Sequence, residues 1–403
     1  MRRIVITGMG AICALGNDAA STWKAMTQAR SGIGVIERVP ADQLRAGGVV
    51  AEIKNFDPAS RIPEQRAAMM DLAGQYALVA ADEAIAQSGI RFDGDNASRT
   101  AVVIGTGASG EATRDDQYRR LYADNAPRLH PLGIVKMMIN ASASHISMAH
   151  GITGPTFVVA SACASSNHAF AQAAMMIRSG LVDAAIAGGT EACITLGTLR
   201  AWEAMRVLAP ECRPFSAGRR GIVLGEGAGM FVLETLEHAQ QRGATILAEL
   251  AGAGMSSDAG DIAAPSDVGA AAAMRAALRD GQVSPDEVDY ISAHGTGTQA
   301  NDSTETRAIH QVFGEHARKL AISSTKPMHG HALGAAGALE LIAVIGALRE
   351  GVVPPTLNYL EPDPACDLDY VPNVVREMGV SAAISNSFAF GGLNAVVALR
   401  KWA

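Results

Sequence analysis

The chain has 403 residues, 48% of them apolar and 18% charged, a balance that describes a compact protein with a large core and excludes a disordered or fibrous one. A net charge of −7 excludes a global electrostatic attraction to nucleic acid. The five cysteines, Cys13, Cys163, Cys193, Cys212 and Cys366, include no CxxC pair, so neither a disulfide framework nor a zinc ribbon is indicated and a reducing, cytoplasmic setting is expected.

In chain order, Met1-Arg2-Arg3 leads into a short apolar run that breaks at Gly8 and Gly10 and meets Asp18, without the pattern of an export signal. Arg3 to Thr7 reads as a buried strand. Gly8-Met9-Gly10-Ala11-Ile12-Cys13 looks like half of a dinucleotide fingerprint, but Cys13 replaces the third glycine, so nicotinamide binding is not expected. Further strands are predicted at residues 101–105, 156–160, 184–187, 230–234, 290–293, 320–323 and 395–399. Helices are predicted at 65–88, 165–179, 268–280, 302–313 and 335–349. Continuous β-branched runs suit strands covered on both faces, as in mainly parallel sheets, and the alternation with helices predicts an α/β protein.

Other signals are set aside. His145 and His150 lack the carboxylate of a zinc-protease helix, so no metal is expected. Gly225-Glu226-Gly227-Ala228-Gly229 lacks the lysine of a phosphate loop and reads as close backbone packing. The longest apolar helical stretch, Ala338 to Leu348, contains Glu340 and is too short to cross a bilayer, so membrane insertion is not expected. Phe157-Val158-Val159-Ala160-Ser161-Ala162-Cys163 is echoed by Leu320-Ala321-Ile322-Ser323-Ser324-Thr325-Lys326, each a strand and small-residue turn before an alanine-rich helix. The echo suggests two related halves that meet near residue 240, with Gln240-Gln241-Arg242-Gly243 as the crossing point.

Three separated segments each set one reactive side chain in a glycine- or serine-rich turn: Ser161-Ala162-Cys163-Ala164-Ser165-Ser166, His294-Gly295-Thr296-Gly297-Thr298 and Gly330-His331-Ala332-Leu333-Gly334. A soft nucleophile and two imidazoles are what a carbon–carbon bond-forming enzyme acting on thioesters needs. Cys163 ends an apolar strand and directly precedes a helix, where the helix dipole and unpaired N–H groups favour a thiolate, so a lowered thiol pKa is expected.

On these motifs the chain resembles, over essentially its whole length from Val5-Ile6-Thr7-Gly8-Met9-Gly10 to Ser387-Phe388-Ala389-Phe390-Gly391-Gly392, an elongating β-ketoacyl-acyl carrier protein synthase of the thiolase superfamily. The resemblance implies a thiolase-like five-layered αβαβα architecture of two related halves, 1–240 with the nucleophile and 241–403 with the histidines. Cys163 would accept the acyl group. His294 and His331 would donate hydrogen bonds to the thioester carbonyl of malonyl-carrier protein as it decarboxylates, which is where negative charge develops. Lys326 matches the family lysine near the histidines, and Glu340 its paired glutamate. The backbone N–H groups of Cys163 and Phe390 would hold the oxyanion, and Thr296 and Thr298 the pantetheine arm. No cofactor is implied. The partner is an acyl carrier protein, and the assembly a homodimer or a heterodimer with a homologous subunit.

Some positions depart from the family pattern. The gating loop, usually Gly-Phe-Gly-Gly, has Ala389 before Phe390 and Gly391, so slower or differently gated acyl entry is expected. Ser216 and Arg220 stand where acidic residues are usual. Ala108 stands where a bulky aliphatic residue often limits the acyl pocket across the dimer interface, so tolerance of long, rigid or unsaturated chains is expected. The Phe-Ala-Phe-Gly-Gly-Leu-Asn ending is similar to ketosynthases of specialised pathways, nodulation-factor and polyene types included. Because acyl carrier proteins are acidic, Arg61, Arg66, Arg119, Arg120, Arg128, Lys136 and Arg206 are candidate docking cations. Two rival readings fit less well. A degradative thiolase needs a second, C-terminal cysteine, yet none follows Cys366. A catalytically silent chain-length factor usually lacks the nucleophile that Cys163 supplies.

Overall fold

The computed structural model describes residues 2–45 and 48–402. Ten strands form one mixed sheet: β1 (Ile4–Cys13), β2 (Thr100–Gly105), β3 (Thr156–Val159), β4 (Ala184–Glu191), β5 (Gly227–Thr235), β6 (Ala248–Ser257), β7 (Tyr290–Ser292), β8 (Ala321–Ser323), β9 (Ala382–Ala389) and β10 (Leu393–Arg400). Outward from the centre, one half runs β1-β5-β4-β2-β3 and the other β6-β10-β9-β7-β8. Adding five to each strand of the first half gives the second, so the two halves repeat one topology. They join through a short β1–β6 ladder in which Val5 faces Glu249 and Ile6 faces Ala248.

Five helices build the layers: α1 (Leu72–Ser88), α2 (Ser165–Arg178), α3 (Asp267–Asp280), α4 (Gln299–Phe313) and α5 (Ala336–Glu350). α1 covers the outer face of the first half and α3 and α4 that of the second, while α2 and α5 lie between the halves and touch strands of both. α5 shows why: from Ala336 to Leu348 every residue is buried, as a helix apolar on all sides must be. The internal repeat extends to single atoms. A Cβ on Gly8 or Gly10 of β1 would sit 2.0 or 2.1 Å from the carbonyl oxygens of Ala84 or Ala80 in α1. One on Gly252 or Gly254 of β6 would sit 2.3 or 2.2 Å from those of Ala277 or Ala273 in α3. The Gly-x-Gly of β1, which superficially suggests a nucleotide, therefore lets a helix pack against its strand.

Three expectations are corrected. The sheet is only partly parallel: β2, β3 and β4 pair in parallel, as do β7, β8 and β9, but β5, β1, β10 and β6 run antiparallel to their neighbours. Burial on both faces, which produces the apolar runs, does not fix direction. The helix predicted over 65–88 is two, Glu64–Ala67 and α1, because Asp71 accepts the Ala73 N–H at 3.0 Å and starts a new helix. Strands β6 and β9 escaped prediction, since Ala, Gly, Ser and Asn predominate in them and β-branched residues do not.

Candidate active site

Each reactive side chain leaves the carboxyl end of a parallel strand. β3 ends in a single 3₁₀ turn, Ala162–Ala164, which leads into α2, and Cys163 sits in it with 6% of its surface exposed. Ala162 is held at φ +48°, a left-handed conformation that a non-glycine residue adopts only where its surroundings impose it. Ser165 imposes it here: its hydroxyl accepts the Ser161 N–H at 2.9 Å and donates to the Ala162 carbonyl at 2.7 Å.

His294 follows β7, and Glu305 of α4 accepts its N–H and that of Gly295, both at 2.8 Å. His331 lies beyond β8, its backbone tied to a neighbouring segment by an N–H to the Val223 carbonyl at 2.7 Å and a Gly225 N–H to its own carbonyl at 3.0 Å. The two imidazoles meet edge-on, ring centres 5.5 Å apart. They line one cavity of about 290 Å³ with Cys163, Thr296, Thr298, Phe388, Ala389 and Phe390.

The proton positions on the rings follow from their partners. Burial and the Lys326 ammonium push both histidines well below their ordinary pKa, so the rings are neutral. The Nδ1 of His331 accepts the Leu333 N–H at 3.2 Å, and the Nδ1 of His294 faces the Lys326 ammonium at 3.4 Å. With Nδ1 engaged as acceptor on each ring, the proton resides on Nε2, and each histidine is a neutral donor. Lys326 is itself wholly buried, donating to the His294 carbonyl at 2.5 Å and to Glu340, also wholly buried.

Cys163 corrects the expectation of a lowered pKa. Burial pushes its thiol up to about 12; Lys326 pulls the other way and Glu191 adds to the rise. Desolvation of the closed pocket outweighs the helix start, so the resting group is a thiol.

The mouth is built differently. Phe390, 39% exposed, stacks on Trp202 with ring centres 6.1 Å apart, and Gly391 and Gly392 follow at φ +84° and +68°. The loop is tethered to the segment 258–266 by a Gly391 N–H to the Ile262 carbonyl at 2.8 Å and an Asp258 N–H to the Gly392 carbonyl at 2.9 Å. Ala389 closes β9 opposite Leu393, in extended backbone where its methyl is unstrained. Ala108 lies outside this cavity, its N–H given to Glu191 at 3.0 Å.

Several residues at the site went unforeseen. Asp302 accepts the N–H groups of Thr296 at 3.1 Å and Gly297 at 3.2 Å, and so shapes the threonine loop. With Glu305 one turn on, it faces the motif from the first turns of α4, a spacing that could have been read as two acids aimed back at the preceding loop. Ser216 is wholly buried and its hydroxyl accepts the N–H of Leu360 at 3.0 Å, whereas Arg220 is exposed. Among the expected docking cations Arg119 is paired with Asp116 and Asp124; Arg120, Arg128 and Arg206 are exposed with no ion pair among the described residues.

Comparison with known proteins shows the family. The β-ketoacyl synthase N-terminal domain matches residues 1–239 and the C-terminal domain residues 247–360. The chain is 52% identical to nodulation protein E of Rhizobium sp. (strain N33) over 99% of each sequence. It is 41% identical to 3-oxoacyl-[acyl-carrier-protein] synthase 2 of Coxiella burnetii over 99% of each. Among solved structures, the ishigamide ketosynthase/chain length factor superposes with a TM-score of 0.92 at 36% identity, covering all of both chains. A type II polyketide ketosynthase solved with its acyl-carrier protein superposes at 0.89 with 30% identity, again over all of both chains. Both the thiolase-like layering and the matched domains give one answer: the chain belongs to the β-ketoacyl synthase family.

Proposed function

We propose that this protein catalyses decarboxylative Claisen condensation of a malonyl-acyl carrier protein with an acyl chain held on Cys163, in fatty acid or polyketide-type biosynthesis. The observation that supports it most is the convergence of one thiol and two neutral Nε2–H donors on a single cavity. In the first half-reaction the Cys163 sulfur attacks the acyl thioester, and the proton it loses ends on the departing pantetheine thiol. In the second, the bond from the malonyl carbon to its carboxylate breaks, carbon dioxide leaves, and the electron pair spreads onto the thioester carbonyl oxygen. His294 and His331 stabilise that oxygen. The carbanion then attacks the acyl carbonyl, whose oxyanion the N–H groups of Cys163 and Phe390 hold. The expelled Cys163 thiolate takes the one proton that the condensation consumes from solvent water, which its raised pKa favours.

The remaining parts follow the same reading. Lys326 and Glu340 orient His294; Thr296 and Thr298 hold the pantetheine arm; Ala389, Phe390 and Gly391 form the gate. The halves divide at 1–240 and 241–403, consistent with the repeated strand order. The protein works in the cytoplasm as a homodimer. Support for the dimer comes from the end strand β3, half-buried throughout, and from the exposed apolar side chains of Tyr122 and Ile134, 75% and 70% accessible. Across that interface Ala108 leaves the acyl pocket long, and Ala108→Ile shortens the products. The carrier docks on the free cations Arg120, Arg128 and Arg206, and its binding weakens with salt.

Mass analysis after incubation with acyl-carrier protein tests the reading. An acyl group on Cys163 that is consumed on adding malonyl-carrier protein is expected. A protein that never acylates there is a non-catalytic subunit.

A further inference from the structure

Below the cavity, where β4 ends, Glu191 is wholly buried with no cation paired to it among the described residues. Its carboxylate accepts the N–H groups of Gly107 at 2.7 Å, Ala108 at 3.0 Å and Gly334 at 3.0 Å, and the Thr106 hydroxyl at 3.3 Å. These donors come from two loops. One follows β2 and touches the nucleophile turn: a Cβ on Gly107 would lie 3.7 Å from the Cα of Ala162, and the Ser165 hydroxyl lies 3.2 Å from the Thr106 carbonyl. The other is the 3₁₀ turn Leu333–Ala335 after His331. The loops are so close that a Cβ on Gly334 would meet the Gly107 nitrogen at 2.3 Å.

An uncompensated buried carboxylate is costly, and it persists only where fixed donors replace its water. What it holds in place is informative. Gly334 directly follows Leu333, whose N–H occupies Nδ1 of His331 and fixes that ring's tautomer. Leu333 is held at φ +43°, a conformation its own side chain resists. Without an acceptor for the Gly334 N–H, the turn is free to relax and the Leu333 N–H to leave the ring.

We infer that Glu191 is a positioning residue for the condensation step: by anchoring the Gly334 N–H it keeps the strained Leu333 turn pointed at Nδ1 of His331, so that Nε2–H faces the malonyl carbonyl. The inference rests on the condensing reaction proposed above. Its role differs from that of Lys326, which reaches His294, so the two donors are set by separate buried groups.

The test is Glu191→Gln, which keeps the volume but turns an NH₂ toward backbone N–H groups. With malonyl-carrier protein as substrate, decarboxylation falls 10- to 100-fold at unchanged KM, while alkylation of Cys163 by iodoacetamide does not fall more than threefold below the parent, since losing the Glu191 charge removes one cause of the raised thiol pKa. In protein labelled with ¹⁵N-histidine, long-range nitrogen–proton spectra show His331 as a single Nε2–H tautomer in the parent and a mixture in the variant. Thr106→Val, which removes only a hydroxyl, leaves decarboxylation within twofold and the tautomer intact. The inference is overturned if Glu191→Gln decarboxylates within twofold of the parent, if its His331 remains one tautomer, or if alkylation falls as far as decarboxylation. Should Glu191→Gln fail to fold, Glu191→Asp takes its place under the same criteria. A parent protein that does not decarboxylate malonyl-carrier protein at all defeats the condensing reaction itself, an outcome distinct from these.

Discussion

The floor and the mouth of the cavity are made of opposite materials. At the floor Lys326 and Glu340 are wholly buried, His294 and His331 are 3% exposed, and the backbone on either side of each ring is hydrogen-bonded to a fixed partner. At the mouth Phe390 is 39% and Ile262 77% exposed, and the gate holds to the 258–266 segment by two backbone hydrogen bonds beside glycines. Donors aimed at developing charge work only if they need not reorganise, so the floor is rigid. In the proposed reaction this loop admits an acyl chain and then a second thioester, which requires motion at little cost, and a lightly held mouth suits it.

This contrast predicts how each region breaks. The largest effect belongs to the donors: His331→Ala or His294→Ala lowers condensation by roughly 10²–10³-fold. Acyl transfer to Cys163, followed by mass, survives both changes. Next comes the buried pair. Lys326→Met leaves Glu340 in the core without its partner and lowers stability by roughly 3–5 kcal/mol in denaturant titrations. The double variant Lys326→Met with Glu340→Leu regains most of that stability but not activity, which separates folding from orientation of His294.

The floor also answers to pH. Burial raises the Glu305 carboxyl to about 7 from 4.5. A raised carboxyl pKa gives stability that is present below pH 4.5 and lost as pH rises through 7, worth about 3 kcal/mol for this shift. Buried histidines act the other way: His329, lowered to about 3, gives stability present above pH 6.5 and lost as pH falls toward 3. Glu305→Gln therefore gains on the parent as pH rises from 4.5 to beyond 7, read from urea midpoints across that range, and a constant difference contradicts the assignment.

The smallest effect is expected at the mouth. Ala389→Gly and Phe390→Ala leave stability within about 0.5 kcal/mol. Ala389→Gly speeds acylation severalfold in stopped-flow measurements, because losing the methyl widens the backbone angles open to the gate. Unchanged acylation kinetics means that the extended Ala389 seen opposite Leu393 is kept throughout the cycle.

Much of this contrast was legible in the chain. Cys163, His294 and His331 announce themselves because each is a reactive group in a turn of small residues, and turns after apolar strands are where sites form. The Phe157–Cys163 and Leu320–Lys326 echo proves to be strands β3 and β8, equivalent in the repeated topology. Glu191, by contrast, looks in sequence like one more acidic residue after a strand, since its importance lies in donors more than 80 and 140 positions away. Strands β6 and β9 were illegible for a related reason: their small residues are selected by helices and loops packed against them and not by their own β propensity.

By itself, then, the sequence determined which atoms are available: a sulfur, two imidazoles, a lysine and a glutamate, on an α/β scaffold with a doubled plan. Only the tertiary structure decided their states. Convergence on one closed cavity raises the Cys163 thiol, empties the histidines of charge and fixes their protons on Nε2, because desolvation and the donors that replace water depend on what folds around a group and not on what flanks it in the chain.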